Sequence, residues 1–392
     1  MREDGMTETG RWTDAFLQTQ RAVGDPLADQ VIRSIFAAGE VGTINSLMRS
    51  MVQNEALIPE RMPPLVRDYL TVSERLPDWA DPAKIQLAEE VFCEFGPHIV
   101  TILLCASLPE CYACGKGAEI LNLSGILSSH AKRRVLETAQ FVMDVMSPGG
   151  LSPHGDGIRT TQKVRLMHAA IRHLALTSPA ANPEWGTPVN QEDLAGTLMT
   201  FSIVVIDGLT RMNIPLTPAK AEAYLHAWKC VGHILGLQAE MLPENLPDAR
   251  NLMAGIRRHQ SLRTDAGIAL MTALVEFLAD LIPNHSLDGL IHALIWHLSG
   301  DQVAALLEVP SPNWERILLG PLRFADALTL HLDHRIALVE KIAERVNLDL
   351  MEGFVFVERG GTRPPFRIPE TLCTRWHLSA EAQERTLSGQ SP

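Results

Sequence analysis

Residues 159–177, RTTQKVRLMHAAIRHLALT, form the most informative segment of the chain. Apolar residues recur there at steps of three and four, which predicts one face of an α-helix. His168 lies at the edge of this face, with Arg165 three residues before it and Arg172 four residues after it. Because side chains three and four residues apart are neighbours on a helix, the histidine and both arginines are predicted to share one side.

This pattern is typical of a helix that holds a haem. A neutral imidazole beside an apolar surface can ligate haem iron. Arginines one turn away on either side can bind the propionate carboxylates through bidentate hydrogen bonds. Spacing alone leaves open the alternative of a hydrogen-bonded core histidine between solvated arginines. The pairs His292/His297 and His331/His334 have the spacing of ordinary helix-face residues.

The helix predicted at 128–146 carries a second polar group. Arg134 and Thr138 are four residues apart and share a face, with Glu137 beside them. A buried Arg–Thr pair could donate hydrogen bonds to bound oxygen or to a propionate. The alternative is a partly exposed arginine and a threonine that bonds the carbonyl four residues before it.

Glu119 lies in the segment CGKGAEILNLSG, residues 114–125. Its neighbours are largely neutral or apolar, and such surroundings suit a carboxyl group to proton transfer. An exposed glutamate near a helix start is the alternative.

The remaining sequence predicts an all-α protein with one large helical domain at 16–377 and flexible ends at 1–15 and 378–392. Residues 353–359, GFVFVER, alternate as a strand would. No repeat and no long linker divides the chain. Further helices are predicted at 81–105, 118–125, 190–209, 217–236, 247–281, 287–298, 302–307 and 314–346.

Composition excludes several classes of protein. The 392 residues are 46% hydrophobic and 20% charged, which is typical of a globular chain. The net charge of −12 disfavours binding to nucleic acid or to an anionic membrane. The longest apolar stretch, 98–108, is shorter than the ~20 residues that a membrane span needs. Residues 1–12, MREDGMTETGRW, have no export-signal pattern, so we expect a cytoplasmic protein with reduced thiols.

Missing motifs narrow the chemistry further. The sequence has no Gly-rich nucleotide loop, no His-Glu-x-x-His zinc motif, no Glu-x-x-His di-iron pair and no nucleophile elbow. Cys111 and Cys114 form a CxxC, but Gly115 follows where covalent haem attachment needs histidine. We interpret the two cysteines as small packing residues, with a redox or metal role as the alternative.

Several segments together resemble the rubber oxygenase (latex-clearing protein) family, which also includes the endoplasmic-reticulum-bound oxygenase of mycophenolic acid biosynthesis. The resemblance covers residues 100–300 or so. It rests on the order and spacing of RRVLETAQFVMDVM at 133–146, GGL at 149–151, KVRLMHAAIR at 163–172, NQEDLAGTLMTFSIVVIDG at 190–208 and YLHAWKCVGHILGLQAEMLP at 224–243.

The resemblance implies an all-helical fold, globin-like in general character, around a non-covalent haem b, with dioxygen as co-substrate. His168 corresponds to the family's proximal iron ligand, and Arg134 and Thr138 fall on its arginine and threonine near the haem. Glu119 falls near the family's catalytic carboxylate, which takes an allylic proton, although its distance to Arg134 is one residue shorter than in the family. Arg165 and Arg172 are the candidates for the propionates.

Two departures from the family bear on the substrate. Rubber oxygenases have a lysine before the threonine, able to occupy the distal iron position, and this chain has Glu137. A carboxylate cannot replace a neutral amine ligand, so the sixth iron ligand is expected to differ. Rubber is extracellular, and the missing export pattern therefore favours a small intracellular lipophilic substrate, unsaturated and isoprenoid-like.

The resulting hypothesis is a haem b dioxygenase that cleaves a carbon–carbon double bond, with Glu119 or Glu137 managing protons. Hydroxylation and peroxide-driven oxidation are variants within this class. A non-catalytic haem or lipid carrier is the alternative, and a helical scaffold without a cofactor is a third possibility. The sequence does not identify an electron donor.

Overall fold

A computed structural model describes residues 10–38, 64–123, 127–177, 182–281 and 288–311, without the side chains of 122–133 and 281–290. The described part is helical, and its one bridge of the β type is an isolated pairing of Cys114 with Ser261. The predicted all-α class is thereby confirmed.

The α-helices of this part are numbered in chain order. They are α1 (Asp14–Gln20), α2 (Pro26–Ala37), α3 (Pro64–Ser73), α4 (Pro82–Ile102), α5 (Leu108–Ala113), α6 (Gly115–Leu123), α7 (Leu127–Met146), α8 (Asp156–Thr177), α9 (Gln191–Phe201), α10 (Ile203–Arg211), α11 (Pro218–Ile234), α12 (Leu246–Gln260), α13 (Asp265–Leu281), α14 (Asp288–Ser299) and α15 (Asp301–Leu306). A π-helical segment, Leu103–Ser107, joins α4 to α5.

Local signals explain several helix starts. At α9 the Asn190 side chain accepts a hydrogen bond from the Asp193 amide at 3.0 Å, and the Asp193 side chain accepts one from the Asn190 amide at 3.4 Å. This capping box satisfies two amides that the helix itself leaves unbonded. Pro82 and Pro218 begin α4 and α11, where a missing amide hydrogen costs nothing.

Two long helices predicted from periodicity are interrupted. The segment 247–281 divides into α12 and α13 because Leu262 donates its amide to the Ala113 carbonyl at 3.0 Å, which pulls the chain out of the helix. The segment 190–209 divides at Ser202, whose φ of −110° and ψ of −80° are not helical. Because the apolar periodicity continues through both breaks, it did not predict them.

Two described features lie before residue 16, the predicted start of the helical domain. Trp12 is buried, and its indole nitrogen donates to Asp248 at 2.7 Å, while α1 already starts at Asp14. Other predictions lie outside the described residues: the helix at 314–346 with His331 and His334, the strand-like 353–359, and the end at 378–392.

The helix that carries His168, α8, packs against other helices on two sides. On one side, Leu166 and Ala169 of α8 belong to a small apolar cluster with α2 and α3. On the other side, α8 packs against α7 and α11, and α11 lies along α4 in the main core. Phe201 and Trp228 stack within that core with ring centroids 5.1 Å apart.

Within the described residues, two helical stretches are long and apolar enough to cross a membrane, namely Pro82–Ala113 and Gln191–Arg211. In each, 78% of the apolar window is buried inside the protein. Such burial is typical of core helices, so these stretches are weak evidence for a membrane span.

Candidate functional site

A cavity of about 300 Å³ lies between α7, α8, α9, α11, α12 and α13. Its wall is mainly aliphatic and aromatic, and includes Phe141, Ile171, Phe201 and Trp228. Cavities of this size and composition bind small lipophilic molecules. A few polar side chains interrupt the wall and therefore determine what chemistry it supports.

His168 of α8 lines this cavity. Its Nδ1 atom is buried and has no hydrogen-bond partner among the described residues. Burial lowers the pKa of the imidazole to about 4, and the positive charges of Arg172 and Arg134 act in the same direction. The ring is therefore neutral at pH 7, which is the form that ligates a metal.

Arg134, Glu137 and Thr138 of α7 line the same cavity as His168, so the structure brings these four predicted residues together. The Thr138 hydroxyl donates to the Arg134 carbonyl at 2.9 Å. This is the alternative that the sequence left open for the threonine, and it uses the only proton of the hydroxyl group. Thr138 can accept a hydrogen bond from a bound molecule while this bond is kept.

Arg165 and Arg172 are placed differently from the prediction. Neither lines the cavity. Arg165 donates to both carboxylate oxygens of Asp25, at 2.6 and 2.9 Å, and Arg172 donates to Asp29 at 2.8 Å. Arg172 also donates to the Val189 carbonyl at 2.5 Å.

The guanidinium groups of these two arginines are thus committed to carboxylates, and the bonds tie α8 to the start of α2. Their contacts do not support the propionate role predicted for them, because charges that are already paired leave little attraction for a ligand carboxylate. The Arg165–Asp25 pair also packs against Gly236. A Cβ added to Gly236 would lie 2.6 Å from Asp25 Oδ2.

Glu119 lies half-buried on α6 and does not line the cavity, although its neighbours Ile120 and Leu121 do. Of the two carboxylates proposed to manage protons, only Glu137 reaches the wall.

Sequence reasoning missed a polar group on another part of the wall, formed by Glu192 and Asp193 of α9 and Gln260 of α12. Glu192 accepts hydrogen bonds from Gln260 Nε2 at 2.6 Å and from Arg21 at 3.2 Å, and pairs with His259 Nδ1 at 2.6 Å. Burial raises the pKa of both Glu192 and Asp193. No motif in the sequence marks Glu192 or Asp193, and nothing in it connects Arg21 to α9.

Cys111 and Cys114 also line the cavity. Burial raises the pKa of the Cys111 thiol to about 11, and its sulfur lies 3.4 Å from the Thr200 hydroxyl. Among the described residues, no three His, Cys, Asp or Glu side chains cluster as a metal site would require. These contacts favour the packing interpretation of the CxxC.

The chain is similar to known proteins in sequence and in fold. The sequence profile described as "ER-bound oxygenase mpaB/B'/Rubber oxygenase, catalytic domain" matches residues 101–329, more than half of the chain. The chain belongs to this family. The rubber oxygenase resemblance recognised in the sequence is thereby confirmed.

Two members of the rubber oxygenase group show how far the similarity extends. The chain is 27% identical to the rubber oxygenase of Streptomyces sp. (strain K30) over 272 residues, which are 66% of this chain and 64% of that protein. The match therefore spans slightly less than two thirds of the relative's length. The structure of latex clearing protein in the closed state superposes with a TM-score of 0.70 at 25% identity, covering 84% of this chain and 91% of that one.

Proposed function

We propose that the protein is a haem b-dependent oxygenase that acts on a small, lipophilic, unsaturated molecule. The observation that carries the proposal is His168, a neutral imidazole with an unsatisfied buried nitrogen in an apolar cavity. An unbonded polar atom in such a place costs free energy, and a bound group recovers it. Membership of an oxygenase family supports the same conclusion.

The residues present fit a haem. A haem needs a single protein ligand, which suits a cavity with one neutral histidine in its wall. Arg134 is the one arginine of the predicted set in the wall, and it is our candidate for a propionate. When bound, the haem would supply the iron centre at which dioxygen is activated.

The chain's own residues would control the rest of the reaction. The apolar wall holds the hydrocarbon and excludes water, which strengthens every charge interaction inside the cavity. Glu137 is the carboxylate in the predicted set that can take a proton from the substrate at this wall. Thr138 can accept a hydrogen bond but has no free proton to donate.

Oxidative cleavage of a carbon–carbon double bond is the reaction we favour. Both atoms of dioxygen enter the two carbonyl products, so the reaction balances without added electrons. Hydroxylation would need two electrons from a donor. The relative's name, rubber oxygenase, associates the family with a polyisoprene, and an isoprenoid-like molecule fits an aliphatic and aromatic wall. The cytoplasmic location stays a prediction.

Glu137 sets this chain apart from the lysine-containing pattern on which the resemblance was drawn. A carboxylate in the wall binds protons or cations, whereas a neutral amine can ligate iron. We therefore infer that Glu137 would place a proton acceptor next to the substrate, where the family pattern has a possible iron ligand.

The test is an absorption spectrum of the purified protein, oxidised and reduced, with a pyridine haemochrome assay. We expect haem b in the wild type and its loss in His168→Ala. His173→Ala is the matched control, because His173 lies on the same helix but stacks on Phe36 with ring centroids 4.5 Å apart. Absence of haem, or full retention in His168→Ala, would refute the proposal.

A carrier that stores a haem or a lipid is the second candidate, since the cavity alone would suffice for storage. The carboxylate of Glu137 favours catalysis, because storage needs no proton acceptor. Oxygen uptake during incubation with unsaturated lipids separates the two functions. A haem-loaded protein that consumes no oxygen with any of them would be a carrier.

A further inference from the structure

Apart from the group around His168 and Arg134, the cavity has a second polar region, which we call the polar pole: Glu192, Asp193 and Gln260 in the wall, with Arg21 and His259 behind them. Glu192 is fully buried, and Gln260 is 4% exposed. The pole belongs to α9 and α12, whereas the proposed haem ligand and proton acceptor lie on α8 and α7. Nothing in the proposed oxidation chemistry uses it.

The carbonyl oxygen of the Gln260 side chain is the atom that points to a ligand. It is buried and has no hydrogen-bond partner among the described residues. The orientation of the amide is fixed, because its nitrogen donates to Glu192 Oε2 at 2.6 Å. A flipped amide would place two acceptor oxygens against each other, so the free group in this wall is an acceptor.

The charges of the pole determine which polar group it can accept. Arg21 donates to Asp193 at 2.9 Å and to Glu192 at 3.2 Å, so one guanidinium serves two carboxylates. A ligand carboxylate would be repelled there, and a neutral O–H donor would not.

We propose that the polar pole binds the hydroxyl end of an amphiphilic substrate, so that the natural ligand is an unsaturated lipid alcohol and not a pure hydrocarbon or a fatty acid. The hydroxyl donates to Gln260 Oε1, and the chain occupies the apolar remainder of the cavity. This inference deepens the proposed function and rests on it for the nature of the chain. It makes Gln260 a specificity-determining residue.

Competitive retention tests the proposal without relying on turnover. The full chain is incubated without oxygen in an equimolar mixture of farnesol, farnesyl methyl ether and farnesoic acid. After gel filtration, the retained lipids are extracted and quantified by mass spectrometry. The ether differs from the alcohol only in lacking the O–H donor, and the acid tests the sign of the charge.

We expect farnesol to be retained about tenfold over either competitor, the effect of one hydrogen bond to an otherwise unsatisfied buried acceptor. Gln260→Leu should bring farnesol and the ether close to parity. Thr200→Val is the matched control: Thr200 also lines the cavity, but its hydroxyl already donates to the Thr197 carbonyl at 2.8 Å, so selectivity should persist.

Several results would overturn the proposal. They are equal retention of alcohol and ether by the wild type, preference for the acid, retention of none of the three, and unchanged selectivity in Gln260→Leu. Even if Gln260→Leu fails to fold, the wild-type retention of farnesol relative to its ether and acid tests the proposal. Because retention is measured without oxygen, a protein that selects the alcohol but shows no haem or oxygen uptake would refute the oxygenase function alone. Oxygen uptake together with equal retention of the alcohol and the ether would refute only the proposal that the polar pole binds a hydroxyl group.

Discussion

Arg165 Nε lies 2.6 Å from Asp25 Oδ2, and a second bond of 2.9 Å joins the same two side chains across 140 positions of sequence. Both side chains are buried. The pair fixes the helix that carries His168 to the start of α2, so it stabilises the packing of that helix without touching the cavity.

Removing the carboxylate should therefore destabilise the protein strongly. Asp25→Ala leaves a buried guanidinium without its partner, and we expect a loss of about 3–5 kcal/mol in the free energy of unfolding. Urea denaturation followed by circular dichroism measures it. Asp207→Ala is the control, since the Arg250–Asp207 pair at 2.8 Å is exposed and should contribute less than about 1 kcal/mol. Equal losses in the two variants would contradict the assignment.

Haem content provides a second measurement on the same variant. Because Arg165 does not line the cavity, Asp25→Ala should keep the wild-type ratio of haem to folded protein. A selective loss of haem from folded Asp25→Ala would instead show that haem binding depends on how this pair holds α8.

Gly236 lies against the Arg165–Asp25 pair with a φ of +86°. Gly236→Ala adds a Cβ 2.6 Å from Asp25 Oδ2 and 2.7 Å from Arg165 Nε, so the pair must separate. We expect a loss of about 3 kcal/mol or more, measured by thermal or urea unfolding. Gly300→Ala is the control that separates backbone strain from steric clash. Gly300 has a φ of +88°, but no atom lies within 4 Å of an added Cβ. Its substitution should therefore lower the free energy of unfolding by only about 1 kcal/mol. A Gly236→Ala variant no less stable than Gly300→Ala would argue against the close contact.

The thiol of Cys111 should react slowly in the folded protein. Burial raises its pKa to about 11 from 9.0, so at pH 8 the reactive thiolate is scarcer by up to about a hundredfold than in an unfolded chain. Between pH 7 and 9 the alkylation rate should rise about tenfold per pH unit without levelling off. Iodoacetamide labelling quantified by peptide mass spectrometry, with urea-unfolded protein as reference, measures this. Rapid labelling of folded protein at pH 7 would revive a redox role for the CxxC.

The two glutamates proposed to manage protons can be separated by substitution. Glu137 lines the cavity and Glu119 does not, so Glu137→Gln should reduce oxygen-uptake turnover by about a hundredfold or more, the usual contribution of a general base. Glu119→Gln is the matched control and should change turnover by less than about threefold. Haem content should be unchanged in both. The reverse ranking would return the catalytic role to Glu119, as the family pattern implied.

Sequence reasoning succeeded where the signal was local. The helix around His168, the helix start at residue 190 and the grouping of Arg134, Glu137 and Thr138 all follow from patterns within one or two turns. It failed where a partner came from far along the chain. The arginines flanking His168 read as free cations because Asp25 lies 140 residues from Arg165. The 247–281 helix read as continuous because the carbonyl that interrupts it belongs to Ala113.

The buried guanidinium of Arg21 has a practical consequence for handling this protein. It reaches Glu192 across 171 positions of sequence and also bonds the Trp185 carbonyl at 2.5 Å, so the segment around Arg21 closes onto the middle of the chain. Such a contact forms only after Glu192, near the midpoint of the 392-residue chain, has been synthesised, which makes folding dependent on a long-range closure. A truncation that removed Arg21 would leave the buried carboxylates of Glu192 and Asp193 without this arginine. Any truncation made for crystallisation should therefore stop before Trp12.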